Sequence, residues 1–124
     1  MTVTASRIGF GIVSGNGPAP FSVQVDDADD RQVVTVRGEL DLATAPQLEE
    51  VLLPALHDGG TAVLDLRPLD FMDSTGVRVI VAAHHAAQDS GGRLAIVRTD
   101  PEGPVGRVLE ISGLDAVLHV VADL

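Results

Sequence analysis

Residues 73–76 read Asp-Ser-Thr-Gly, set between Leu69–Met72 and the apolar run that begins at Val77. A carboxylate, two hydroxyls and a glycine in that order permit three kinds of chemistry. Asp73 can cap a helix start, because its side chain can accept from a first-turn amide that has no partner within the helix. Ser74 can be a nucleophile if a base stands within hydrogen-bond reach. Ser74 can also be modified by another protein, because the free amides and positive end of a helix favour an added anion. Gly76 costs about 1 kcal/mol against alanine so early in an apolar helix, which points to a packing or an access reason. Lacking a side chain, it would let another molecule approach closely.

The nucleophile reading fails on its base. His84 and His85 lie ten and eleven residues further along the same helix, roughly 15 Å away at 1.5 Å of rise per residue. His57 falls near the end of the preceding helix, on the opposite rim, and His119 falls in the last strand. The pattern G-x-S-x-G is missing, since residues 72–76 read Met-Asp-Ser-Thr-Gly. The chain is therefore expected not to be an enzyme. His84 and His85 point about 100° apart on a helix and share no metal site; one partly buried and one solvated ring is the expectation. Phosphate-loop and dinucleotide fingerprints are missing. Without cysteine, disulfides and thiolate metal sites are excluded. No cofactor and no metal are expected.

Modification fits the residues better. A phosphate on Ser74 adds about −1.5 to −2 charges, could be held by first-turn amides, and would be repelled by Asp73 and by Asp41 if the latter shares its rim. The expected consequence is a changed surface rather than a refolded domain.

The elements that must position these residues can be read along the chain. Val13–Ser22 is rich in Gly and Pro, so residues 1–20 are expected to be a flexible tail, with a short strand at Arg7–Val13 as the alternative, and the domain to run over 21–124. Ser22–Asp26 and Gln32–Leu40 read as strands whose short charged turn makes them antiparallel. Thr44 and Gln47 have capping-box spacing. Leu48, Val51, Leu52, Ala55 and Leu56 recur at helical spacing, Pro54 is expected to kink that helix, and Gly59–Gly60 to end it. Ala62–Leu66 is a buried strand. A helix follows from Ser74 to Asp89, then a strand at Leu94–Val97, a helix at Pro104–Ser112 stopped by Gly113, and a last strand at Val117–Val121. The order β-β-α-β-α-β-α-β implies a single α/β domain. Its sheet is mixed and mostly parallel, with an antiparallel N-terminal edge strand. In such a sheet the loops after the strands share one rim. Asp41 and Ser74 meet there if their strands are neighbours.

Bulk properties limit the partners. A chain of 124 residues that is 45% hydrophobic can bury a core. A net charge of −10, with eight Arg and no Lys, makes nucleic acid a poor partner. A basic protein surface suits it better; an apolar contact through Val77 or Leu109 is the other possibility. The first twenty residues do not form a signal peptide, because glycines interrupt any apolar region, and no run is long enough to span a membrane. A cytoplasmic location is expected.

Several stretches in order resemble one family, the STAS domains, and within it the anti-sigma factor antagonists. "VVTVRGELDLATAPQLEEVL" resembles the family's second strand, G-E-[LI]-D turn and first helix. "AVLDLRPLDFMDSTGVRVIVAA" resembles its third strand and D-S-[ST]-G phosphorylation segment, and "GGRLAIV" and "VGRVLEISGLDAVLHV" its closing elements. The resemblance spans about residues 21–121. It implies that Ser74 is the serine phosphorylated by a cognate anti-sigma factor, a serine kinase of the GHKL type. Asp41 and Asp73 border that serine, and Thr75 and Gly76 complete the motif. It also implies that the unphosphorylated chain binds the anti-sigma factor and frees the sigma factor, that phosphorylation prevents this, and that a PP2C-type phosphatase resets it. ATP is then the partner's cofactor. STAS domains also serve stress-sensing, transport and lipid-transport assemblies, and binding a nucleotide or protein there without phosphorylation is the alternative.

Overall fold

The computed structural model of the chain describes residues 21–57 and 59–124. The expected tail, and the alternative strand at Arg7–Val13, lie outside the described residues. In chain order the elements are β1 (Ser22–Ala28), β2 (Arg31–Leu40), α1 (Ala45–Ala55), β3 (Thr61–Asp65), β4 (Leu69–Met72), α2 (Ser74–Ser90), β5 (Arg93–Val97), α3 (Pro104–Ser112), α4 (Leu114–Val117) and β6 (His119–Val121).

One sheet runs β1-β2-β3-β5-β6, with β4 paired to β2 off that path. β1 and β2 are antiparallel and every other pairing is parallel. The expected mixed α/β sheet with an antiparallel first edge strand is what forms. The two-residue turn Asp29-Asp30 joins β1 to β2, with Asp29 at φ 54°, a left-handed conformation that Asp tolerates better than most residues.

The expected order is corrected at β4, which the sequence reading takes as loop. β2 is long enough to serve two partners. Its first half, Arg31–Thr35, pairs with β3, and its end, Gly38–Leu40, pairs with β4 across a register shift. The shift sits at Gly38, whose φ of 94° belongs to the region glycine enters without a Cβ clash. A second correction is α4, which takes up Leu114–Val117 and shortens the last strand to His119–Val121. A third is α1, which ends at Ala55, ahead of Gly59–Gly60. Pro54 lies in its last turn, so the missing N–H shortens the helix rather than kinking its middle.

Strand alternation divides the buried side chains into two layers. Val34, Val36, Leu64 and Ile96 face the helices and meet Leu48, Leu52, Ile80, Ala83, Val105 and Leu109 in the main core. Val33, Val63, Ala95 and Val97 point the other way and form a second cluster. The main core fixes the ends of β2 and β4, because Leu40, Leu69 and Met72 are all buried in it. Those ends carry the functional residues.

Candidate functional site

The site lies where β2 and β4 stop. Leu40 and Met72 are partners in register, so Asp41 and Asp73, each one residue further on, leave the sheet side by side. The amide of Asp73 donates to the carbonyl oxygen of Leu40 at 3.2 Å, carrying the pairing past the strand end. The expected shared rim of Asp41 and Ser74 is therefore formed, through β4 rather than through β3.

At Asp73 the backbone is extended, with φ −106° and ψ −170°. Its carboxylate Oδ1 accepts from the amide of Thr75 at 2.8 Å, which gives α2 the side-chain cap expected from sequence. Ser74 follows, exposed, in the first turn; Thr75 is half-buried. Gly76 is buried. A Cβ there would come within 2.6 Å of Met72 Cγ and 2.9 Å of Leu40 Cδ2. The access reading of Gly76 is thus corrected: its bare face is turned inward, and lets the first turn of α2 close onto the ends of β2 and β4.

Asp41 is built into the opposite wall. Its Oδ1 accepts from the amides of Ala43 at 3.0 Å and Thr44 at 3.2 Å, and its carbonyl oxygen accepts from the amide of Ala45 at 2.8 Å. The Thr44 hydroxyl accepts from the amide of Asp41 at 2.9 Å and donates to the carbonyl of Glu39 at 2.7 Å. A hydroxyl has one proton to give, so the 3.2 Å approach of Thr44 Oγ1 to Asp41 Oδ1 is secondary to the Glu39 bond. The capping box expected of Thr44 and Gln47 does not form. Thr44 makes no side-chain cap bond to the helix, because its hydroxyl is drawn back toward β2; the Asp41 carboxylate holds the turn before the helix, and the Asp41 carbonyl oxygen takes the first helical amide, that of Ala45.

Around these groups the rim carries apolar surface that sequence reasoning missed. Leu42, next to Asp41, is 77% exposed, and Phe71, two residues before Asp73, is 43% exposed. The apolar contact expected at Leu109 is corrected, because Leu109 is buried in the core. Val77 is half-buried. Phe71 was hidden because β4 was not recognised. Once β4 is a strand, alternation and its pairing with Glu39 place Phe71 away from the buried Met72.

The turn that delivers β4 is held by the buried carboxylate Asp65. Arg67 grips it twice, Nε to Oδ1 at 2.9 Å and Nη2 to Oδ2 at 3.0 Å, while the Arg67 amide also donates to Oδ1 at 3.0 Å. Arg67 Nη1 reaches on to Asp123 at 3.0 Å. Burial by itself pushes the Asp65 carboxyl up. The hydrogen bonds and charge of Arg67, with the charge of Arg37, outweigh it and leave the pKa below the usual carboxylate value. The bond to Asp65 raises Arg67 further above neutrality. The Leu124 amide, then Arg67, lower Asp123.

None of the histidines approaches Ser74 along the chain's geometry. His84 is half-buried and His85 exposed on α2, as expected, with ring centroids 6.0 Å apart. His57 follows α1, which returns the chain to the other rim, and His119 opens β6 in register with Ala95. Among the described residues no group of three or more His, Asp or Glu is placed to hold a metal ion. No helix among them is long and apolar enough to cross a membrane.

The same architecture occurs in known proteins. The anti-sigma-B factor antagonist of Staphylococcus aureus is 35% identical over 101 residues, 81% of this chain and 92% of that protein. The anti-sigma-B factor antagonist of Staphylococcus epidermidis is 38% identical over the same shares. The crystal structure of an anti-sigma factor antagonist from Mycobacterium paratuberculosis superposes with a TM-score of 0.75 at 28% identity, over 87% of this chain and 91% of that one. The family described as "Mlab, STAS domain" matches residues 23–121. With strand order, capped serine helix and sequence match in agreement, the chain belongs to the STAS domain family.

Proposed function

We propose that this chain is an anti-sigma factor antagonist switched at Ser74. Unphosphorylated, it binds an anti-sigma factor that is also a serine kinase of the GHKL type, and so releases the sigma factor. Phosphorylation of Ser74 ends that binding, and a PP2C-type phosphatase restores it. The observation that carries the proposal is the placement of Ser74. It is exposed on a helix start capped by Asp73 and packed inward through Gly76, at the strand ends where Leu42 and Phe71 are also exposed. A serine so displayed, without a base of its own, suits a substrate rather than a catalyst. The names of the Staphylococcus and Mycobacterium relatives support the same reading.

The chemistry falls to the partner. Ser74 Oγ bonds to the γ-phosphorus of the partner's ATP, the bond from that phosphorus to the bridging oxygen breaks, and ADP leaves. The hydroxyl proton passes to a base on the partner. The product carries about −1.5 to −2 added charge beside the carboxylates of Asp41 and Asp73, which repel it. The dianion therefore projects into the contact surface, where an apolar seat for Leu42 and Phe71 would have to desolvate it at several kcal/mol.

The test is intact-mass measurement of the chain incubated with ATP and an anti-sigma kinase from the same genome. The wild type gains one phosphate and Ser74→Ala gains none. An undiminished gain in Ser74→Ala, or no gain in the wild type with a kinase that binds it, removes the proposal. A saturable signal with nucleotide alone and no phosphate gain would favour the nucleotide-binding alternative.

A further inference from the structure

Arg78 stands one turn beyond Ser74 on α2, and both residues are exposed. Residues four apart on a helix share one face, with Cβ atoms about 5–6 Å apart. Helical side chains also lean toward the helix N-terminus. A long side chain at position 78 therefore covers the surface of the first turn, where the Ser74 hydroxyl is. The other positions three or four residues from Arg78 on α2 are Thr75, Val81 and Ala82, none of which is charged. At this spacing Arg78 gains a charged neighbour on its own helix only when Ser74 acquires a charge. The two carboxylates of the corner are each bonded to backbone amides, Asp73 to that of Thr75 and Asp41 to those of Ala43 and Thr44.

Resting on the reading of Ser74 as the phosphorylated residue, we propose that Arg78 is the intramolecular partner of the Ser74 phosphate. It is a positioning residue that draws the phosphorylated serine along α2 and away from the acidic corner. The phosphate brings three acceptor oxygens and about −1.5 to −2 charges. The guanidinium is planar and offers two parallel N–H donors to them. Repulsion by Asp41 and Asp73 from behind and attraction by Arg78 from ahead act in the same direction. An exposed pair of single charges at this spacing is weak, but a dianion gripped by a forked donor is a stronger case. Arg78 is the only charged side chain among residues 74–81. Phosphorylation therefore alters the rim twice: it adds a dianion, and it takes up the one cation beside the serine on this helix.

The test uses the full chain with phosphoserine installed at position 74 during translation, at a recoded codon, so that no kinase is needed. In isotope-labelled protein the NMR signal of the Arg78 Nε–H should move downfield when residue 74 carries the phosphate, while the other arginine signals stay in place. Arg78→Gln should shift the phosphorus signal of the phosphoserine, and Arg78→Lys, which keeps the charge and loses the fork, should bring it part of the way back. Unmoved methyl signals of Val79 and Ile80, on the buried side of α2, report that the helix stays folded in each variant. An Arg78 signal that does not respond to the phosphate, or a phosphorus signal indifferent to Arg78→Gln, would overturn the proposal. A kinase that binds the chain and fails to modify Ser74 would remove the reading of the switch and leave this pairing standing; an unresponsive Arg78 would do the reverse.

Discussion

The amide of Asp73 is hydrogen-bonded to the carbonyl of Leu40 at 3.2 Å. That bond joins the chain entering the serine helix to the chain leaving β2, so the two acidic walls of the site, Asp41 and Asp73, form one rigid corner. Behind it Gly76 packs on Leu40 and Met72.

Gly76→Ala should be destabilising, against the helix propensity rule. In an open helix position the change would gain about 1 kcal/mol. Here the new methyl meets Met72 Cγ at 2.6 Å, and overpacking of this kind costs about 1–3 kcal/mol. Urea denaturation should show a lower midpoint. A raised midpoint would mean that the first turn is not closed on the strand ends.

Asp41 and Thr44 should behave as a coupled pair. Asp41→Ala frees two amides and Thr44→Ala removes the acceptor of the Asp41 amide, so each loses much of the same turn. The double variant should lose less stability than the sum of the singles, with a coupling of about 0.5–3 kcal/mol. Additive losses would show that Thr44 acts on the helix independently, as the capping-box spacing suggested.

Acid should weaken the fold through Asp65. Its folded pKa is lowered, against an unfolded value of about 3.9, so the folded state binds the proton less readily. The contribution is fully present above pH ~4 and is lost as pH falls through the depressed folded value. Asp65→Asn should flatten the fall of the urea midpoint below pH ~4. An equal slope in both proteins would mean that other carboxylates carry the acid response.

At the rim, Leu42→Ala and Phe71→Ala should each weaken binding of the anti-sigma partner by about 1–2 kcal/mol, with little change in the urea midpoint, because both side chains are exposed. Ser74→Asp should weaken binding further, and Ser74→Ala should leave a binder that the kinase cannot switch off. If the acidic rim steers association, raised salt should slow the on-rate more than it speeds dissociation. Calorimetry and surface-binding kinetics read all four.

What was legible in the sequence was local. The Asp73 cap, the helix from Ser74, the Pro104 start and the Gly113 stop are each written within a few residues, and all form as read. β4 was not legible because it is four residues long, and its middle residues, Asp70 and Phe71, are both exposed. Its pairing depends on a bulge at Gly38 some thirty positions earlier. With β4 went Phe71, and with it the apolar part of the rim. The Thr44–Gln47 spacing was misleading because it counts positions and does not know that Glu39 offers a competing carbonyl. The clamp of Asp65, Arg67 and Asp123 spans 56 residues at its far end and has no local signature.

The inward turn of Gly76 separates two kinds of inheritance. Residues that set the geometry of the corner, Leu40, Met72 and Gly76, are shut inside, whereas the side chains of Leu42, Phe71 and Ser74 are exposed. A genome that duplicates this gene can therefore rewrite who each copy answers to, one outward side chain at a time, while the corner that displays the serine stays the same. Insulation between parallel signalling circuits then needs no new architecture.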